Sequence, residues 1–164
     1  MIKRPTTIQS IAMLIAPALA FAVLSAAMAA SATQADDGGI QWVSYPEGRQ
    51  RGEAENKKVF LVFNADWCRY CLKMEKETFQ DPTVIAYVNR NFVPVTVNSD
   101  EEQKIAADYN VKGLPSTWFI SEKGDRIGNR PGFIPADEML TILKYIGSDS
   151  YLNMSYQEFV ETLE

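Results

Sequence analysis

The 164 residues carry 16 basic and 21 acidic side chains and are 46% hydrophobic, a composition that suits one compact domain plus a separate segment. There is no histidine, which excludes His-based triads, His proton shuttles and most catalytic zinc and haem sites. Cys68 and Cys71 are the only cysteines, too few for a four-cysteine zinc cage or a multi-disulfide framework, and the net charge of −5 speaks against nucleic acid as a partner.

The chain opens with a basic pair, Lys3 and Arg4, then an uncharged run over residues 11–24, then the small residues Ala26, Ala27, Ala29, Ala30 and Ala32. This is the pattern of a secretory signal peptide. The run is shorter than the roughly 20 residues that span a bilayer, and Pro17 interrupts it, so cleavage is expected rather than anchoring. The sequence leaves cleavage open between Ala29, Ala32 and Ala35. The expected organisation is a signal over residues 1–29 (cleavage as late as 35), a flexible leader over 30–39, one domain over 40–146 and a helical tail over 147–164. Without Lys3 and Arg4, 14 basic residues stand against 21 acidic ones, a net charge of −7. The expected product is a soluble, anionic, monomeric domain in an oxidising compartment, the periplasm.

Residues 40–45 read as a short edge strand, and 46–56 as a polar helix weakened by Gly48 and Gly52. The apolar run 59–63 reads as a buried central strand. Helix is expected over 67–78, and Asp81-Pro82 offers an N-cap and an N1 proline for a second helix reaching about Asn89. Residues 92–97 form a second buried strand. Ser99 and Glu102 have capping-box spacing before a helix through Tyr109. Strands 116–120 and 126–129 flank a turn and predict a hairpin, residues 135–146 show helical periodicity, and Ser155 with Glu158 repeats the capping box. Of Trp118 and Phe119, which face opposite sides, one belongs to the core. The order predicts an α/β fold: a central mixed β-sheet flanked by helices, with a parallel βαβ part and an antiparallel hairpin.

Trp67-Cys68-Arg69-Tyr70-Cys71 falls where a buried strand ends and a helix begins. On the first helical turn the two sulfurs come within bonding distance, and the free amides and partial positive charge of the helix start stabilise a thiolate at Cys68. A thiolate is the form that attacks disulfides, and such sites lower a cysteine pKa from about 8.5 to between roughly 3.5 and 7.5. Cys68 is the expected nucleophile. Cys71, one turn deeper and less accessible, is the expected resolving thiol. Competing readings are a zinc site, which lacks two further ligands, a structural disulfide, whose short loop removes little chain entropy, and chance spacing. Exposed Trp67 and Tyr70, with Arg69, would line a substrate groove. Pro115, after Gly113-Leu114, begins a strand, and X-Pro bonds alone adopt cis readily.

Ala65-Asp66-Trp67-Cys68-Arg69-Tyr70-Cys71, with Pro115 placed 44 residues after Cys71, resembles the thioredoxin family over residues 40–146. With Lys76-Glu77-Thr78-Phe79 and Asp81-Pro82, the likeness extends to the periplasmic C-terminal thioredoxin domain of transmembrane thiol-disulfide interchange reductases, and in layout to small exported thioredoxins. The resemblance implies a thioredoxin fold, a redox-active Cys68–Cys71 disulfide, a cis Pro115 facing the pair, and a Leu114 backbone that pairs with substrate. Thioredoxins usually bury an acidic residue where Val62 stands, with a lysine where Thr96 stands. Both are missing, and Glu75, four residues after Cys71, is the expected substitute proton acceptor.

The expected function is thiol-disulfide exchange outside the cytoplasm, with no cofactor or metal. The lean is toward reduction of protein disulfides, a membrane thiol reductase supplying electrons. A thiol oxidant or isomerase, a non-catalytic binding module that borrows the fold, and a thiol peroxidase are the rivals. Trp67 directly before Cys68 and the CxxC pairing count against the peroxidase.

Overall fold

The computed structural model describes residues 38–163, so the expected signal segment and most of the expected leader lie outside the described residues. Helix α1 (Tyr45–Glu55) leads into strand β1 (Lys58–Asn64). Then come α2 (Arg69–Glu77), α3 (Pro82–Asn91), β2 (Phe92–Asn98) and α4 (Gln103–Asp108). The hairpin β3 (Ser116–Ile120) and β4 (Arg126–Pro131) precedes α5 (Ala136–Gly147), a 3-10 helix (Ser150–Leu152) and α6 (Tyr156–Glu161).

The sheet order is β2-β1-β3-β4. β1 is parallel to β2 and antiparallel to β3, and β4 closes the hairpin, as the element order predicts. Alternation along β1 divides two cores. Phe60 and Val62 face α2, α3 and α5 together with Met74, Val84, Phe119 and Leu143. Val59, Leu61 and Phe63 face α1 and α4 with Val95, Tyr109 and Ile120. Burial on both faces explains why β1 is a continuous apolar run. Phe119 is the core member of the Trp118-Phe119 pair, and Trp118 packs half-buried on the other side.

Three local readings change. The expected edge strand over 40–45 reduces to one parallel bridge, Val43 to Val95. The Val43 amide donates to the Pro94 carbonyl (3.0 Å), on the outer edge of β2 where a proline's missing donor is tolerated. Gly48 and Gly52 mark close approach: a Cβ on Gly48 would overlap the Val95 side chain, so α1 can lie on β2 only because that position is bare. Helix α4 starts late, with Glu102 at the N-cap and no side-chain cap bond, so Ser99 and Glu102 form no capping box. Instead the Ser99 amide donates to the Asn64 carbonyl (2.8 Å), which holds Ser99 in the loop after β2. Ser155 and Glu158 do form the expected box, capping α6.

The tail is tied to the sheet by Lys58, which is buried at the start of β1. Its Nζ lies 2.7 Å from Glu122 on the hairpin turn and 2.9 Å from Asp149 after α5. Burial alone would push this ammonium down, but the two carboxylates outweigh it and hold its pKa above the usual 10.5. A raised lysine pKa contributes stability in full below the unfolded value and loses it as pH rises through the folded one. Lys58→Met is therefore expected to lower the unfolding free energy by about 2 kcal/mol at pH 8, with the deficit shrinking above about pH 10.5. Urea denaturation of both proteins across that range reads it.

Candidate active site

The site grows from the end of β1. Ala65–Trp67 turn the chain, the Cys68 amide donates to the Ala65 carbonyl (3.0 Å), and Cys68 becomes the N-cap of α2. In that position its Sγ accepts the Cys71 amide at 3.1 Å, satisfying one of the helix's free donors with sulfur. The two cysteines are joined as a disulfide, their Cα atoms 5.2 Å apart. No carboxylate occupies the first turn of α2, so nothing there neutralises the positive end of the helix.

Both cysteines are buried, Cys68 at 4% and Cys71 at 8% exposure, so the expected difference in accessibility does not appear in the oxidised pair. The reason is the packing: Ala65, Cys68 and Cys71 form one apolar cluster under Leu114. What separates the sulfurs is the backbone, since Cys68 is the cap and Cys71 the donor to it.

The Leu114–Pro115 peptide is cis, and Leu114 packs on the cysteine cluster. The Pro115 carbonyl accepts the Gly132 amide at 2.8 Å, anchoring the loop to the end of β4. Trp67 and Tyr70 stand 69% and 63% exposed beside the pair, and Arg69 is exposed as well. A groove of about 490 Å³ opens next to Trp67, walled by Ser99, Asp100, Gln103, Lys112 and Leu114. Leu114 therefore packs on Cys68 and Cys71, Pro115 follows it through the cis peptide, and Trp67, Arg69 and Tyr70 are exposed next to the pair in sequence.

One groove residue is hidden from sequence reasoning. Asp100 reads as part of a solvated acidic run, yet its Oδ2 accepts the Trp67 indole N–H at 2.7 Å. The Asp100 amide in turn donates to Asn98 Oδ1 (3.0 Å), and Asn98 Nδ2 donates to Asp66 Oδ1 (3.3 Å). This chain stitches the loop after β1 to the loop after β2 and fixes the indole over the groove. The pairing spans 33 residues and leaves no local spacing signal.

Glu75 is exposed on α2, and no hydrogen bond joins it to either cysteine among the described residues. It therefore does not reproduce a buried carboxylate. The two departures from the thioredoxin pattern turn out to be neighbours: Val62 pairs in register with Thr96 on β2 and with Thr117 on β3. An apolar side chain and two hydroxyls fill the place of an ion pair. Asn64 Nδ2 donates to Thr96 Oγ1 (3.0 Å), while Thr117 Oγ1 is buried without a hydrogen-bond partner. No group of three or more metal-ligating side chains is gathered among the described residues.

A central strand running into a helix capped by a CxxC disulfide, with a cis-proline loop packed against the pair, defines the thioredoxin-fold class. Residues 47–147 match the thioredoxin-like domain family, and the chain belongs to that family. Among its relatives, the thiol:disulfide interchange protein DsbD of Haemophilus ducreyi is 37% identical over 94 residues, which span 54% of this chain and 16% of that protein. The disulfide bond reductase DsbH of Chlamydia pneumoniae is 32% identical over 108 residues, spanning 58% of this chain and 64% of that protein. A thioredoxin from Thermus thermophilus is structurally similar with a TM-score of 0.61 at 29% identity, covering 66% of this chain and 87% of the thioredoxin. The chain thus spans about a sixth of DsbD and just under two thirds of DsbH.

Proposed function

We propose that the chain is an exported thiol-disulfide oxidoreductase that reduces protein disulfides, acting as a monomer in the periplasm. The observation that carries this reading is the Cys68 sulfur at the N-cap of α2, accepting the Cys71 amide and paired with a second cysteine one turn on. The same amide and the helix dipole favour a thiolate there once the disulfide is opened.

In the reduced protein the Cys68 thiolate attacks one sulfur of a substrate disulfide. That S–S bond breaks, a mixed disulfide forms on Cys68, and the departing substrate thiolate takes up a proton. Cys71 gives up its proton and attacks Cys68 Sγ, releasing the second substrate thiol and closing the Cys68–Cys71 disulfide. Two electrons pass to the substrate. A dithiol on a membrane thiol reductase restores the pair by the same exchange in reverse. Leu114 and cis-Pro115 hold the substrate strand beside the sulfurs, while Trp67, Arg69 and Tyr70 frame it. Glu75, exposed four residues after Cys71, takes up the resolving proton through solvent, and Glu75→Gln is expected to slow that step.

Export is supported by the signal-like sequence of residues 1–29, and reduction by the likeness to a relative that is named a disulfide bond reductase. The test is insulin reduction driven by dithiothreitol, together with the Cys68–Cys71 reduction potential measured against glutathione. Turnover with a potential near the thioredoxin value of about −270 mV is expected, and a potential as oxidising as about −120 mV would overturn the direction.

A further inference from the structure

Arg69, Leu72, Lys73 and Lys76 are spaced i, i+3, i+4 and i+7 along α2 and therefore share one face of the helix. All four are exposed, and Leu72 keeps 51% of its surface. The face holds three cations around one large apolar side chain and no carboxylate, in a chain whose net charge is −5. Glu75 and Glu77 lie to its sides, with Glu77 3.7 Å from Lys73. The stripe starts at the residue after Cys68, and the Leu72 amide donates to the Cys68 carbonyl at 3.0 Å, so Leu72 sits one turn from the redox pair.

Lys73 is engaged by Glu77 and by the Phe133 ring 4.3 Å away, and Lys76 sits in the last turn of α2, where the dipole favours a cation, but Arg69 and Leu72 gain nothing in the free domain. Arg69 occupies the first helical position, where the dipole disfavours a cation, and an exposed leucine gains nothing from water. Both gain when an acidic segment with an apolar residue lies along the face. Together with Trp67 and Tyr70, Leu72 makes three of the five large hydrophobic side chains exposed among the described residues, all within six positions of sequence around Cys68. Such clustering marks an interaction surface rather than scattered exposure.

We propose that this face of α2 docks the oxidised protein substrate, binding a segment next to the substrate disulfide in which acidic residues flank an apolar one. The proposal rests on the thiol-exchange reading and adds the chemistry of the partner. Charge complementarity of this kind acts chiefly on the encounter rate, so it raises the second-order rate constant and is screened by salt.

The test uses two synthetic peptides, each with one intramolecular disulfide, flanked by Asp-Leu-Glu in one and Lys-Leu-Lys in the other, with uncharged 2-hydroxyethyl disulfide as reference. With the dithiol form of the protein at low salt, the acidic peptide is expected to be reduced at least fivefold faster than the basic one, the ratio shrinking in 1 M salt. Leu72→Ser combined with Lys76→Glu should bring the ratio to about one, leaving the reference rate within twofold and the reduction potential unchanged. Lys76→Gln alone should give an intermediate ratio. Equal rates for the two peptides in the unaltered protein, or an undiminished ratio in the double variant, overturn the docking face while thiol exchange stands. Failure to reduce the reference disulfide as well overturns the thiol-exchange reading, and the docking face with it.

Discussion

Cys68→Ser should abolish dithiothreitol-driven insulin reduction, lowering the rate at least 10³-fold, whereas Cys71→Ala should stop the reaction half-way with substrate bound covalently to Cys68. The asymmetry follows from the cap geometry. Cys68 Sγ is the atom aimed at the free amides of α2, and the Cys71 amide already donates to it at 3.1 Å. A serine hydroxyl can keep that bond but cannot supply a thiolate at neutral pH. Without Cys71 the first exchange still occurs, but no neighbouring thiol can resolve the product, so a mixed disulfide accumulates and survives non-reducing electrophoresis. In the Cys71→Ala protein, titration of thiolate absorbance should place Cys68 below its unperturbed value of about 8.5. A Cys68→Ser protein that kept a tenth of the activity, or a Cys68 thiol titrating above that value, would overturn the assignment of the nucleophile. Capture by Cys71→Ala would also identify the substrates, which stay joined to Cys68 through the mixed disulfide.

Much of this architecture is written in short-range signals. The apolar run of β1, the Asp81-Pro82 start of α3, the Ser155-Glu158 box and the CxxC spacing each depend on residues within about four positions of one another, and each appears where the sequence places it. What escapes local reading is what is settled across the sheet. Ser99 has the chemistry of a cap, but its amide is taken by Asn64, 35 residues earlier, and α4 starts beyond it. Asp100 looks like solvated charge until the fold brings Trp67 to it. Gly48 looks like a defect in α1 until β2 lies beneath it. Lys58 looks like an ordinary strand-leading lysine until the hairpin turn and the residue after α5 surround it with carboxylates. In each case the residue type is suited to two environments, and tertiary contacts choose between them.

Val62→Asp should restore the acidic residue of the thioredoxin pattern at a heavy loss of stability that grows with pH. Val62 is 2% exposed and lies between Thr96 and Thr117 in the sheet register, on the face that carries Phe60, Met74 and Phe119. A carboxylate placed there is desolvated, which favours its neutral form and raises its folded pKa above the unfolded value of about 3.9. Below that value both states are protonated and no charge is buried. As pH rises through the interval between the two pKa values the unfolded chain ionises first, so stability falls by about 1.4 kcal/mol per unit until the folded group ionises too. No lysine stands opposite to compensate, because that position is Thr96, whose hydroxyl already accepts from Asn64. Among the described residues, Thr117 Oγ1, in register with Val62, is a buried hydroxyl without a hydrogen-bond partner. Urea denaturation should therefore show Val62→Asp losing about 3 to 5 kcal/mol at pH 8 and clearly less at pH 4, whereas Val62→Asn shows a loss with no such slope. Adding Thr117→Val to Val62→Asp should remove roughly 1 kcal/mol more, the worth of a single hydrogen bond. A Val62→Asp protein as stable at pH 8 as at pH 4 would mean that water or another group reaches this position and that the sheet beneath the redox pair is not the dry environment its packing implies.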